Sequence, residues 1–140
     1  MRSALVLAVG LLGLACGEIV LAPLPVDAQF LVARFGANPE LAGAAALPVA
    51  RVENDALVVL GAVGAGSPCH DVRGSMRARD RDITVTVTLE GQPGACVAVV
   101  ASWQYRFARA LPPGSYRVRV VHQWVGGEAL VALETIVDVP

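Results

Sequence analysis

The sequence predicts an all-β fold, an antiparallel β-sandwich of about seven strands behind an N-terminal signal segment. Three observations carry that expectation. Residues 72–90 alternate apolar and polar side chains through two runs whose apolar sets coincide in a single register. Residues 116–137 repeat the pattern on either side of Gly126-Gly127. Clusters of Gly, Pro, Asn, Asp and Ser punctuate the rest of the chain at short intervals from residue 49 onward.

At 140 residues the chain has room for one domain. Its hydrophobic fraction of 55% and mean hydropathy of +0.59 would suggest a membrane protein. Much of that excess lies in residues 4–16 and in alanines, so only one segment is a membrane candidate. The 11 basic residues are all arginine, and the formal net charge is −1. A general nucleic-acid binder needs a basic balance to neutralise phosphates, so no nucleic-acid partner is expected.

Residues 1–15 read as a signal peptide. Met1-Arg2-Ser3 is a short positive start, and residues 4–15 form a continuous apolar run. That run ends at Gly13-Leu14-Ala15-Cys16-Gly17, which resembles a bacterial lipobox. The resemblance implies cleavage after Ala15 and lipidation of Cys16, hence a membrane partner through a lipid anchor. The sequence departs from the pattern in placing its leucine two residues before the cysteine rather than three. Ala15-Cys16-Gly17 also fits a small-x-small site for ordinary secretion. An uncleaved anchor over residues 4–26 is a third reading, since about 20 apolar residues span a bilayer, but Glu18, Pro23 and Pro25 interrupt it. All three readings place the domain outside the cytoplasm, in the cell envelope or beyond it.

The chain has 3 cysteines. With Cys16 given to lipid, Cys69 and Cys96 remain as a disulfide pair, which an oxidising compartment permits.

Residues 16–48 form a tether. Within it, residues 28–35 are apolar enough for an edge strand or a linker packed on the domain. Residues 49–140 are the sandwich domain. Residues 49–53 and 56–63 flank Asn54-Asp55, a two-residue hairpin turn. Residues 64–68 then break the chain before Cys69. In the next hairpin, Asp80-Arg81 sets Ala78 opposite Ile83, Met76 opposite Val85 and Val72 opposite Leu89, and pairs Arg79 with Asp82 on the wet face. Cys96 is expected to begin the following strand, with Val97, Val99, Ala101, Trp103, Tyr105 and Phe107 on one face. Cys69 and Cys96 thereby meet at one end of a sheet. In the last hairpin Tyr116 faces Val137, Val118 faces Thr135, Val120 faces Leu133 and His122 faces Val131. Outside, Arg119 meets Glu134 and Arg117 lies diagonal to Asp138.

The run Leu111-Pro112-Pro113-Gly114-Ser115-Tyr116-Arg117-Val118-Arg119-Val120 resembles the corner of fibronectin type III and related Ig-like domains. There a tyrosine hydroxyl bonds back to the preceding turn, the part implied for Tyr116, with Leu111 and Gly114 shaping the corner. The early-strand core tryptophan of the type III family is missing. More loosely, residues 62–140 resemble the C-terminal sandwich of small bacterial envelope lipoproteins.

Catalytic chemistry is not legible. The 2 histidines sit on different strands, His70 reading as a strand-end residue and His122 as an in-phase residue near the sandwich end. Asp80 and Asp82 bracket a turn, and calcium needs six or more oxygen ligands. No phosphate-binding loop, His-Glu-x-x-His or Gly-x-Ser-x-Gly occurs. The expectation is a chain without metal, cofactor or catalytic residues, and not an enzyme. Trp103, Tyr105 and Trp124 would make a platform for sugar or peptide if they faced solvent, but their phase points to the core. Arg73, Arg77, Arg106, Arg117 and Arg119 point outward, as stripes for an anionic partner or as a solvated face. The stapled loops 64–69 and 91–95 are the expected place for a specific contact. These features predict a binding or spacer module for an envelope protein or glycan. The alternatives are a structural lipoprotein without a ligand and an accessory subunit of a secreted enzyme or transport system.

Overall fold

A computed structural model describes residues 29–34 and 47–140. The expected signal peptide, Cys16 and the tether other than residues 29–34 and 47–48 lie outside the described residues.

Eight strands follow one another: β1 (Gln29–Arg34), β2 (Val49–Glu53), β3 (Ala56–Ala65), β4 (His70–Arg79), β5 (Asp82–Gly91), β6 (Ala101–Ala110), β7 (Gly114–Trp124) and β8 (Ala129–Val139). Seven arise from residue 49 onward, as the turn spacing predicts, and β1 is the edge strand read in residues 28–35. They form two four-stranded sheets of order β1-β6-β3-β2 and β4-β5-β7-β8. The inward rows meet in one core of aliphatic and aromatic side chains, among them Leu57, Val59, Met76, Val85, Val87, Tyr105, Phe107 and Val118.

The two hairpin registers derived from alternation are the observed ones over most of their length. Ala78 pairs with Ile83, Met76 with Val85 and Val72 with Leu89. Tyr116 pairs with Val137, Val118 with Thr135 and Val120 with Leu133. The β2–β3 turn places both Asn54 and Asp55 at positive φ, 49° and 61°, which twists a two-residue loop to match its strands.

Three expectations are corrected. The sandwich is mostly but not wholly antiparallel: β5 and β7 run parallel, with Val85 beside Val120 and Leu89 beside Trp124. The chain leaves β5, crosses to the other sheet as β6, turns the Leu111–Tyr116 corner and returns in the starting direction. Second, β6 begins at Ala101, not at Cys96. Residues 95–100 make the crossing between sheets, and Val97 and Val99 are 64% and 60% exposed rather than in the core. Third, a bulge between Val120 and Val121 shifts the end of the last hairpin, so His122 faces Leu130 instead of Val131. One extra residue on a strand re-aims everything beyond it.

β1 is held by a specific fit across the sheets. Phe30 stacks on Phe107 with ring centroids 4.6 Å apart, and the pair packs on Gly74 of β4, where a Cβ would overlap both rings. Glycine breaks the apolar alternation of β4 because the opposite sheet fills its place.

Candidate functional site

Among the described residues, polar chemistry gathers at four places: the Leu111–Tyr116 corner, the stapled end, a buried polar pair and the outer face of the β4-β5-β7-β8 sheet.

At the corner the Tyr116 hydroxyl donates to the Pro112 carbonyl at 2.8 Å. Arg81, from the β4–β5 turn, lies over the Tyr116 ring at 4.9 Å and donates to the Pro113 carbonyl at 3.2 Å. The Arg117 amide donates to the Arg81 carbonyl at 2.8 Å. Gly114 has φ +145°, and a Cβ there would overlap the Arg81 guanidinium. Arg81 is a poor turn residue by local propensity, and its contacts with the corner explain its presence. Leu111 is half-buried against the core. These contacts fix the shape of the corner.

At the opposite end Cys69 and Cys96 are bonded, with Cα atoms 6.1 Å apart. Cys69 immediately precedes β4 and Cys96 lies in the crossing, so the bond ties two loops rather than two strands at mid-core. The Gln92 amide donates to the Cys69 carbonyl at 2.9 Å. Val97, Val99, Val100, Val125, Leu130 and Val131 are all exposed around this end, which is more apolar than its turn residues suggest. His70 sits beside the staple, its Nδ1 3.1 Å from the Ser67 carbonyl and its ring edge-on to Trp103 at 5.9 Å. Among the described residues no three His, Cys, Asp or Glu side chains gather as metal ligands.

Sequence reasoning missed the third place. His122 is 5% exposed and the Tyr105 ring is fully buried, with the Tyr105 hydroxyl 2.7 Å from His122 Nε2. Burial lowers the His122 pKa below its ordinary value of 6.5 and raises that of Tyr105. Both groups stay neutral, each satisfying the other inside the core. The available signal was a polar side chain in phase with a buried row, which demands a partner on a neighbouring row. Trp103 and Tyr105 are buried and Trp124 is half-buried, so the aromatics make no exposed platform.

The fourth place is built by alternation itself. Outward residues of three adjacent strands fall into rows across the sheet: Arg79-Asp82-Arg117, Arg77-Thr84-Arg119, Ser75-Thr86-Val121 and Arg73-Thr88-Gln123. The threonines of β5 form the floor, and long side chains from β4 and β7 form the walls. Ser75, Arg77, Arg79, Asp82, Thr84, Thr86, Thr88 and Gln123 line an open concavity of about 570 Å³. It adjoins a smaller one of about 250 Å³ bordered by Arg117 and Arg119.

Ion pairs divide these arginines. Arg119 meets Glu134 at 3.1 Å as expected, and Arg73 meets Glu90 at 3.4 Å. Asp82 pairs at 3.8 Å with Arg117, not with Arg79, and Arg117 does not turn to Asp138. The parallel β5–β7 register puts Arg117 beside Asp82, a competitor that an antiparallel hairpin alone does not contain. Arg77 and Arg79 meet no carboxylate among the described residues. Arg106 belongs to the other sheet, where it reaches Glu53 at 3.5 Å, so the outward arginines do not form one stripe.

No family model, no curated protein and no solved structure matches this chain.

Proposed function

We propose that this chain is a non-catalytic module of the bacterial cell envelope, exported, lipid-anchored at Cys16, and built to bind an envelope component through an Ig-like or fibronectin type III-like sandwich. The observation that carries the reading is the Cys69–Cys96 bond, because disulfides persist in oxidising compartments and are rare in the cytosol. The apolar run ending at Cys16 agrees with that address. The Tyr116–Pro112 hydrogen bond supports the family resemblance of the corner; the parallel β5–β7 pair departs from an antiparallel domain of that kind. Binding is favoured over spacing by the open concavity on the outer sheet, since a spacer needs no shaped surface.

The test is made in cells. The wild type should label with a fatty-acid probe and fractionate with membranes, whereas Cys16→Ala should be unlabelled and released. Membrane retention and continued labelling of the variant would overturn the anchor. Free thiols at Cys69 and Cys96 on protein trapped in cells with an alkylating reagent would overturn the exported address. The exposed valines and leucine around the staple favour a second reading, an accessory subunit docked through that end. Isolation of a defined stoichiometric complex from the envelope, abolished by Val99→Asp with Val100→Asp, would establish it.

A further inference from the structure

We infer that the outer face of the β4-β5-β7-β8 sheet is a binding site for an acidic polysaccharide, a carboxylate-bearing sugar chain laid in the groove floored by Thr84, Thr86 and Thr88. The inference deepens the binding-module reading and rests on it for the address at which such a chain is met.

Charge selects the sign of the ligand. Arg77, Arg79, Arg117 and Arg119 border the two adjoining concavities, with Asp82 the single carboxylate among their lining residues. Arg117 and Arg119 are held by Asp82 and Glu134. Arg77 and Arg79 meet no such partner among the described residues, and both are exposed. A guanidinium offers a planar fork of donors that matches a carboxylate in two parallel hydrogen bonds. Adjacent strands lie about 4.8 Å apart, so the backbone of the Arg77-Thr84-Arg119 row spans roughly 10 Å across the floor, with Arg77 and Arg79 offering their forks on its β4 side.

The floor selects a sugar over other polyanions. Ser75, Thr84, Thr86 and Thr88 present hydroxyls, and Gln123 presents an amide. Each such group can both donate and accept, as the hydroxyls of a sugar require. No aromatic ring lines either concavity, which removes the stacking platform single-stranded nucleic acid uses. The face also lacks the buried aromatic anchors that dominate protein contacts. An extended peptide would pair with a strand edge, whereas this groove runs over the middle of a sheet.

Full-length protein is tested on immobilised polygalacturonate, with neutral dextran and poly-L-glutamate as parallel arms. Binding to polygalacturonate is expected at low ionic strength and should weaken with added salt, because the contacts are exposed. Neutral dextran should not bind. Arg77→Gln combined with Arg79→Gln should weaken retention by about tenfold, the scale of two exposed charge pairs. Arg51→Gln, on the other sheet, should leave retention unchanged. No retention, retention insensitive to the Arg77 and Arg79 changes, or equal retention on poly-L-glutamate would each overturn the inference. Those outcomes leave the envelope module standing if Cys16-dependent labelling persists; loss of that labelling dismisses the anchor without touching binding by purified protein.

Discussion

His122 and Tyr105 place a titratable pair inside an otherwise hydrocarbon core. Burial lowers the His122 pKa from 6.5, so the unfolded chain takes up a proton at pH values where the folded chain does not. The stability this imidazole permits is present above about pH 6.5 and is lost as pH falls toward the lowered folded value. Glu53 acts in a separate window. A hydrogen bond from Arg51 lowers its pKa from 4.5, and its contribution fades only as pH falls below that range. Urea titrations should therefore show wild-type stability declining between pH 6.5 and 5. Tyr105→Phe alone should cost about 1–3 kcal/mol by stranding a buried ring nitrogen. Adding His122→Leu should recover most of that loss and flatten the slope between pH 6.5 and 5; an unchanged slope would assign the titration elsewhere. The two polar residues were each in phase with a buried row, but alternation does not say which rows touch, so the pair was not legible. The Tyr116 hydrogen bond was legible through the resemblance of the Leu111–Val120 run to a tyrosine corner, in which the hydroxyl bonds back to the preceding turn, and its acceptor here is the Pro112 carbonyl.

Hairpins and crossings behave differently at the scale of elements. Two adjacent strands joined by a short turn have their register fixed by alternation, since a one-residue slip would turn every apolar side chain outward. The β4–β5 hairpin and most of the β7–β8 hairpin follow that logic, and the bulge after Val120 is where local geometry escaped it. The crossing before β6 looked like a strand because Val97, Val99 and Ala101 alternate, yet no strand pairs with its first half. The staple restrains this crossing. In the chain-entropy account, a closed loop with a separation of 27 residues contributes roughly 3–4 kcal/mol. Reduction, or Cys69→Ser with Cys96→Ser, should lower the urea midpoint accordingly while the folded β7–β8 hairpin retains slow amide exchange. A second test concerns β1. Gly74→Val drives a side chain into Phe30 and Phe107 and should cost about 1–3 kcal/mol. Amides of residues 29–34 should exchange faster in that variant before those of β6 or β7 do; uniform acceleration would mean that β1 has no separate stability.

For the molecule as a whole, the two-layer architecture followed from half-polar strands that need a second sheet to cover their apolar faces. The arrangement of strands within the layers did not follow. Parallel sheets are usually buried on both faces and read as continuous apolar runs. Here β5 alternates Thr84, Thr86 and Thr88 with Ile83, Val85, Val87 and Leu89 because its outer face is wet, and this is the pattern of an antiparallel strand. Its parallel neighbour β7 was therefore hidden by the solvent exposure that also forms the groove. The candidate site was partly legible for the same reason. The outward direction of Arg73, Arg77, Arg117 and Arg119 came from alternation alone. The rows joining β4, β5 and β7 required knowledge of which strands lie side by side, and only the β5–β7 register turns Asp82 to Arg117 and leaves Arg79 without a carboxylate among the described residues.

The course of the two edge strands has a mechanical consequence. Gln29 begins β1 beside Ala108, and Val139 lies beside Gly114, so the described strands start and finish at the same end of the sandwich, the end of the Tyr116 corner. Tension applied between Gln29 and Val139 would peel those two edges from that end and leave the stapled loops unloaded. A pull on either of those two strand ends would load the corner end of the sandwich first, and the stapled loops lie at the tip farthest from it.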